Sequence, residues 1–231
     1  NADVGDSTKG RIKSLFNMMY KYAVAHDIVD KDYASVMFAN GNPIKRERTK
    51  EPIPFTGEEV QQLWDNKDLI PFADMVLIGI YSGWRPQELS ILQIADIDLE
   101  AETMKGGLKT DAGKNRIVPI HPIIKPLIEN RMKEANTLQS EYLFNDINGQ
   151  QGTYMTYDKY RKRFQKVMDR LKITHRPHET RHTFIPKAKS CGVDEYILKL
   201  IVGHAIEDIT EKVYTHRTME QLKSEMEKIT K

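Results

Sequence analysis

The sequence predicts a mainly α-helical fold with one small antiparallel β-sheet, an α+β architecture. Apolar residues recur at i, i+3 and i+4 through most of the chain, which is the period of amphipathic helices. The run L-I-P-F-A-D-M-V-L-I-G-I-Y-S from Leu69 is apolar almost all round, as a buried central helix must be. Residues 94–120 change character: I-A-D-I-D-L and R-I-V-P-I bunch β-branched residues, and Gly106, Gly107 and Gly113 punctuate them.

A chain of 231 residues, 39% of them hydrophobic, can bury an ordinary core, and one domain plus an appendage is the expectation. Lysine and arginine total 35 against 33 acidic residues, so the net charge of +2 does not by itself announce nucleic-acid binding. A basic face must come from clustering. The single cysteine, Cys191, excludes an internal disulfide framework, suits a reducing compartment and is expected as a small buried apolar group. No apolar run approaches the roughly 20 residues that span a bilayer, and no charged-then-apolar leader stands at the start. The expectation is a soluble, cytoplasmic protein with no membrane partner.

From Lys9 to His26, the residues Ile12, Leu15, Phe16, Met19, Tyr22 and Ala23 predict one amphipathic helix, with a second short one near Tyr33 to Phe38. Two such helices make a poor independent core, so residues 1–40 are expected to end a helical domain that begins outside this sequence. Residues 41–55 read as a linker, with Gly41, Pro43, Pro52 and Pro54 around K-R-E-R-T-K. Its Lys45, Arg46, Arg48 and Lys50 suit either a solvated hinge or a strap on phosphates.

Thr56 and Glu59 form a capping box, followed by an apolar face of Val60, Leu63 and Trp64, so a second domain is expected over 56–231. Gly83 is placed to end the buried helix, Arg85 stands just past it, and Pro86 suits the first turn of a short helix with Glu88 and Leu89. Lys109 falls at the edge of the last predicted hairpin, before the turn T-D-A-G-K-N. Helices are predicted at Ile123–Asn136 and Tyr157–Lys172; the second sets Tyr160, Phe164, Val167, Met168 and Leu171 on one face and Arg161, Lys162, Arg163, Lys166 and Arg170 elsewhere. That basic surface is either solvated or a DNA contact. A helix opening near His178 contains Pro186, which is expected to kink it. Helices over Val193–Val202 and Ile209–Tyr214 follow, then a stripe of Met219, Leu222, Met226 and Ile229 that packs either on its own domain or in trans on a neighbouring protomer.

The residues with chemistry concentrate between Pro177 and Tyr214. His178 and Arg181 share a helix face, His204 follows a helix ending at Gly203, and Tyr214 closes the next segment. A cation and hydrogen-bonding rings near one phenol suit an anionic substrate. With Arg85 and Lys109 added, the order resembles the tyrosine recombinase family, the phage-type integrases, over roughly residues 56–218. S-G-W-R-P-Q-E-L looks like its first arginine box, G-L-K-T-D-A-G-K-N-R-I-V-P-I its lysine hairpin, and H-E-T-R-H-T-F its H-x-x-R box. L-I-V-G-H and V-Y-T-H look like its second-histidine and nucleophile boxes. Integrases of phages and conjugative transposons are the relatives it resembles.

The residue types fit that chemistry. A phenol can attack a DNA phosphodiester and be displaced again, which makes Tyr214 the expected nucleophile of a reversible transesterification. Arg85 and Arg181 offer paired donors to the charge that builds on the non-bridging oxygens. His178 can relay the tyrosine proton and His204 can donate to a phosphate oxygen. The resemblance implies that Lys109 protonates the departing 5′-oxygen and that the strand is held as a 3′-phosphotyrosyl intermediate. It also implies a homo-tetramer on synapsed double-stranded DNA in the bacterial cytoplasm, with accessory DNA-bending or excision factors, and neither metal nor cofactor. Glu88 is expected to orient Arg85 or to support the fold.

Two other classes stay open. His178 to His182 satisfies H-E-x-x-H, the signature of a zinc metalloprotease, although Pro177 puts His178 at the first turn and Ile185 breaks the longer motif. Val193 to Tyr214 also suits the helix-turn-helix of a non-enzymatic DNA-binding regulator, a reading that leaves Arg85 and Lys109 unused.

Overall fold

The computed structural model describes residues 5–35, 51–108, 113–146, 155–205 and 217–230. The chain divides into two compact units, Asn1–Glu51 and Pro52–Lys231. The second predicted helix reaches past the described residues, and Lys45, Arg46, Arg48, Lys50, Lys109 and the segment Ile209–Tyr214 lie outside them. No helix among the described residues is long and apolar enough to cross a membrane.

In the first unit α1 spans Asp6–Ala25 and has no buried residue. Its predicted apolar stripe is real in pattern, but Leu15, Met19 and Tyr22 are each more than half exposed.

The second unit opens on α2, Gly57–Asp65, and the predicted capping box forms: Glu59 N–H donates to the Thr56 hydroxyl, and Thr56 N–H donates to Glu59 Oε2 at 2.8 Å. The central helix α3 runs Ala73–Ser82, with nine of its ten residues buried. It starts four residues later than the apolar run from Leu69 suggests. Pro71 disfavours helical backbone at Ile70, and Phe72 sits at φ 72°, a left-handed conformation rare for an aromatic residue. Burial of the Phe72 ring under the guanidiniums of Arg131 and Arg163 holds it there. The short α4, Pro86–Ser90, follows at once.

The predicted sheet is a three-stranded antiparallel meander in the order β1-β2-β3: β1 Ile97–Asp98, β2 Thr103–Gly106 and β3 Arg116–Pro119. Met104 pairs with Val118, and both are fully buried, while Ile117, next to Val118 on β3, faces outward. A 3₁₀ turn at Pro122–Ile124 precedes α5, Lys125–Thr137, so the regular helix begins later than Ile123. Next is α6, Tyr157–Leu171, whose Tyr160, Phe164, Val167 and Met168 enter the core as predicted.

The helix α7, Glu179–Ser190, packs along α3, and a Cβ added at Gly79 would stand 3.0 Å from the Thr180 hydroxyl. Pro186 lies inside α7 without ending it, and the helix continues to Ser190. Cys191, expected to be buried, is only partly so at the frayed end of that helix. Then come α8, Glu195–Val202, capped by Asp194, and α9, Met219–Glu227. Leu222, Met226 and Ile229 are buried against β3 and α8 of their own chain, so in this structure the stripe docks in cis.

His121 holds this last segment. Its Nδ1 accepts from Ile123 N–H at 3.1 Å, and Nε2 lies 2.7 Å from the Ile229 carbonyl, an arrangement that suits the neutral ring with its proton on Nε2. Burial lowers its pKa, outweighing the Ile229 carbonyl and Glu227. A folded-state value below the unfolded one makes this contribution complete above about pH 6.5 and loses it as pH falls from there. Hydrogen exchange should therefore show α9 amides losing protection below about pH 6.5, and His121→Gln should remove that pH dependence.

Candidate anion-binding site

Two helix ends and one strand build the site. Gly83 and Gly203 terminate α3 and α8 in left-handed conformation, at φ 67° and 66°. After α8, Gly203 N–H bonds to Leu200 O and His204 N–H to Lys199 O, the paired bonds of a Schellman ending. Neither glycine tolerates a side chain: a Cβ at Gly83 would lie 2.5 Å from the Phe184 ring, and one at Gly203 would lie 2.9 Å from Gly113 Cα. Each leaves a carbonyl at the negative end of a helix.

Arginines take both carbonyls. Arg181, from the first turn of α7, donates Nη1–H to Gly83 O at 2.8 Å. Arg85, just before α4, donates Nη2–H to Gly203 O at 3.2 Å and Nη1–H to Glu88 Oε1 at 3.1 Å. Glu88 is fully engaged: besides Arg85, it accepts from Arg116 Nη2 at 2.7 Å and from the Leu108 backbone at 3.3 Å, and it caps α4 through Arg85 N–H. Glu88 thus contacts the Arg85 side chain and backbone and ties β3 to the start of α4 through Arg116.

Arg116 is the residue that sequence reasoning missed. It donates Nε–H to Ile201 O and Nη1–H to Gly113 O, and its guanidinium lies 4.2 Å over the Trp84 ring. The signal was the alternation of β3, which sets Arg116 on the same inward face as Val118.

The balance of charge is positive. Burial raises the Glu88 pKa, but its bonds to Arg116 and Arg85 outweigh that and hold it below the ordinary carboxylate range. Arg181 is 2% exposed, and its Nη2 has no hydrogen-bond partner among the described residues. Burial and the charges of Arg85 and Arg116 push its guanidinium down to about 9, a value that still leaves it charged at neutral pH. His204 is exposed at the rim, and its pKa is lowered by desolvation and by Arg181, Arg85 and Lys199. Three guanidiniums near one carboxylate leave an excess of positive charge that an oxyanion would satisfy.

His178, at the N-cap of α7, is exposed, and its ring meets His182 edge-on at 5.0 Å. Glu179, which the H-E-x-x-H reading needs for activating water, has its carboxylate turned to His175 and to backbone N–H groups. Among the basic residues of α6, Arg161, Lys162 and Lys166 are exposed, whereas Arg163 pairs with Asp146 and lies over Phe72. Arg85, Glu88, Arg181 and His204 come together where the ends of α3 and α8 meet the starts of α4 and α7, His178 stands exposed at the N-cap of α7, and Lys109 and Tyr214 are outside the described residues.

A model of the phage integrase family matches residues 54–221. The tyrosine recombinase XerA of Pyrococcus furiosus is 32% identical over 184 residues, covering 77% of this chain and 62% of its own length. The tyrosine recombinase XerD of Vibrio cholerae is 23% identical over 230 residues, covering 94% of this chain and 72% of its own. The chain thus spans about three-fifths of the length of the first curated relatives it matches. Among solved structures, that of the Tn1549 transposon integrase in complex with circular intermediate DNA superposes with a TM-score of 0.71 at 20% identity, over 97% of this chain and 80% of that one. The XerA recombinase crystal structure gives 0.58 at 19% identity, over 96% and 82%. These structural likenesses concern the fold.

Replacing Glu88 by Gln should leave three buried or half-buried guanidiniums without a counter-charge among the described residues. The expected loss is about 3 kcal/mol in denaturant unfolding, with part of it recovered by added sulfate, since an oxyanion supplies what the carboxylate withdrew.

Proposed function

The chain belongs to the phage integrase family of tyrosine recombinases, and from that premise we propose that it cleaves and rejoins DNA strands at specific sites through a covalent 3′-phosphotyrosyl intermediate on Tyr214. Arg181 is the observation that carries this reading. A buried guanidinium with one nitrogen unpartnered among the described residues, beside a second arginine already aimed by Glu88, suits the two non-bridging oxygens of one phosphodiester.

In this mechanism Arg85 and Arg181 bind the scissile phosphate and meet the charge that grows on its equatorial oxygens. His204, near neutral pH an uncharged ring by virtue of its lowered pKa, donates one N–H to a phosphate oxygen. His178 takes the proton of the Tyr214 hydroxyl as its oxygen attacks phosphorus, and Lys109 gives a proton to the leaving 5′-oxygen. The 3′-phosphate is then bonded to tyrosine, and a 5′-hydroxyl attacking in reverse restores the strand and frees the phenol. Arg161, Lys162 and Lys166 on the open side of α6, and Lys45, Arg46, Arg48 and Lys50 in the stretch before Pro52, would contact the duplex backbone. Residues 1–40 would contribute to a helical DNA-binding domain, with 41–55 as linker and 56–231 as the catalytic domain. The exposed apolar side of α1 supports a further partner for that domain.

The assembly implied is a homo-tetramer on two synapsed duplexes in the bacterial cytoplasm, serving integration and excision of a mobile element with accessory DNA-bending or excision factors. A transposon integrase among the structural neighbours supports the mobile-element reading by likeness of fold.

The test is a nicked suicide substrate that traps the intermediate. The chain should give a protein–DNA adduct that survives denaturation, Tyr214→Phe should give none, and Arg181→Ala should slow adduct formation by about 10²- to 10³-fold. An adduct formed by Tyr214→Phe would contradict the nucleophile, and no adduct from the unmodified chain would contradict the reaction.

A further inference from the structure

Two residues before Pro177, an imidazole lies between two carboxylates. His175 is buried, and its ring stacks on Phe55 at 3.8 Å with the planes 20° apart. Its Nδ1 is 3.0 Å from Glu179 Oε2, and its Nε2 is 3.1 Å from Glu59 Oε2. A neutral imidazole has a single N–H, and an ionised carboxylate only accepts. Both contacts therefore hold together only when the three groups share two protons. Glu59 is held below the ordinary carboxylate range: burial raises it, but the Thr56 N–H and His175 outweigh that. The Glu59 oxygen facing the ring also accepts from Thr56 N–H, and the Glu179 oxygen facing it also accepts from Arg176 N–H, so both act as acceptors and the ring supplies both protons.

Each carboxylate passes the clamp on to a helix. Glu59 closes the cap of α2. Glu179 is the first residue of α7 and also accepts from Arg176 N–H at 2.9 Å. One turn further on, the Thr183 hydroxyl accepts from Phe55 N–H at 2.9 Å. One ring thus joins the start of α2 to the turn that bears Arg181 and follows His178. Among the described residues, the charged groups facing it are Glu59 from α2 and Glu179 from α7.

We infer that His175 is a positioning residue, which in its doubly protonated form clamps the first turn of α7 and so sets where Arg181 and His178 meet the phosphate. This rests on the recombinase reading above.

The test uses the full chain and three measurements: adduct-formation rate at saturating suicide substrate against pH, Kd for the intact duplex, and the Arg181 Nε–H resonance without DNA. His175→Ala should lower the rate about 10- to 100-fold, as a misplaced donor does, change Kd by less than about threefold, and displace the Arg181 resonance. Glu59→Gln keeps an oxygen that accepts from both the Thr56 N–H and the ring but removes the charge that favours the doubly protonated ring. Its rate relative to wild type should fall as pH rises through neutrality. A His175→Ala protein with an unmoved Arg181 resonance, or a rate loss matched by weaker DNA binding, would overturn the inference, as would a Glu59→Gln ratio that stays flat. Should His175→Ala fail to fold, that ratio decides. Absence of any adduct from wild type would instead overturn the recombinase reading, and the Arg181 resonance would still decide the clamp.

Discussion

Glu88 is a buried negative charge shared between Arg85 and Arg116, and the site depends on how that imbalance is held. Its two oxygens fix both guanidiniums, while among the described residues Arg181 bonds to a carbonyl alone. An uncompensated guanidinium taken out of water costs several kcal/mol. The fold sustains it by directing helix-end carbonyls at the cations and by packing Trp84 under Arg116. On the reading proposed above, anion affinity and fold stability would be two expressions of one charge distribution, and a bound phosphate would add to the stability.

The same elements fix position as well as charge. α7 lies so close to α3 that Thr180 fills the space a side chain at Gly79 would need, and Phe184 does the same at Gly83. Arg181 leaves the turn between these contacts, so its guanidinium has little freedom to retreat from the site. Donors held in place before the substrate arrives need no reorganisation when charge develops, which is the basis of electrostatic catalysis. His204, by contrast, stands at an exposed rim on the residue after a glycine stop, where a substrate can reach it.

Much of this was legible in the sequence. Apolar periodicity marks the helices, the capping box marks the start of the larger unit, and the change of pattern over residues 94–120 marks the sheet. Gly83 and Gly203 are readable as helix stops. Their second use, as acceptors for arginines 98 and 118 residues away, is not, because it depends on which helices meet. Arg116 was within reach, since strand alternation puts it on the buried face. His175 was not, as its meaning comes from Glu59, 116 residues distant. The helix at Leu69 begins late for a local reason, Pro71 and the left-handed Phe72, which hydrophobicity alone outweighs on paper.

The most direct measurement of the central claim is the location of an oxyanion on the protein without DNA. A crystal soaked with tungstate, read by anomalous scattering, should show the ion within hydrogen-bond distance of Arg181 Nη2 and the Arg85 guanidinium. Tungstate bound along α6 or elsewhere, with Arg85 and Arg181 bare, would contradict the claim that their unsatisfied charge is built for a phosphate.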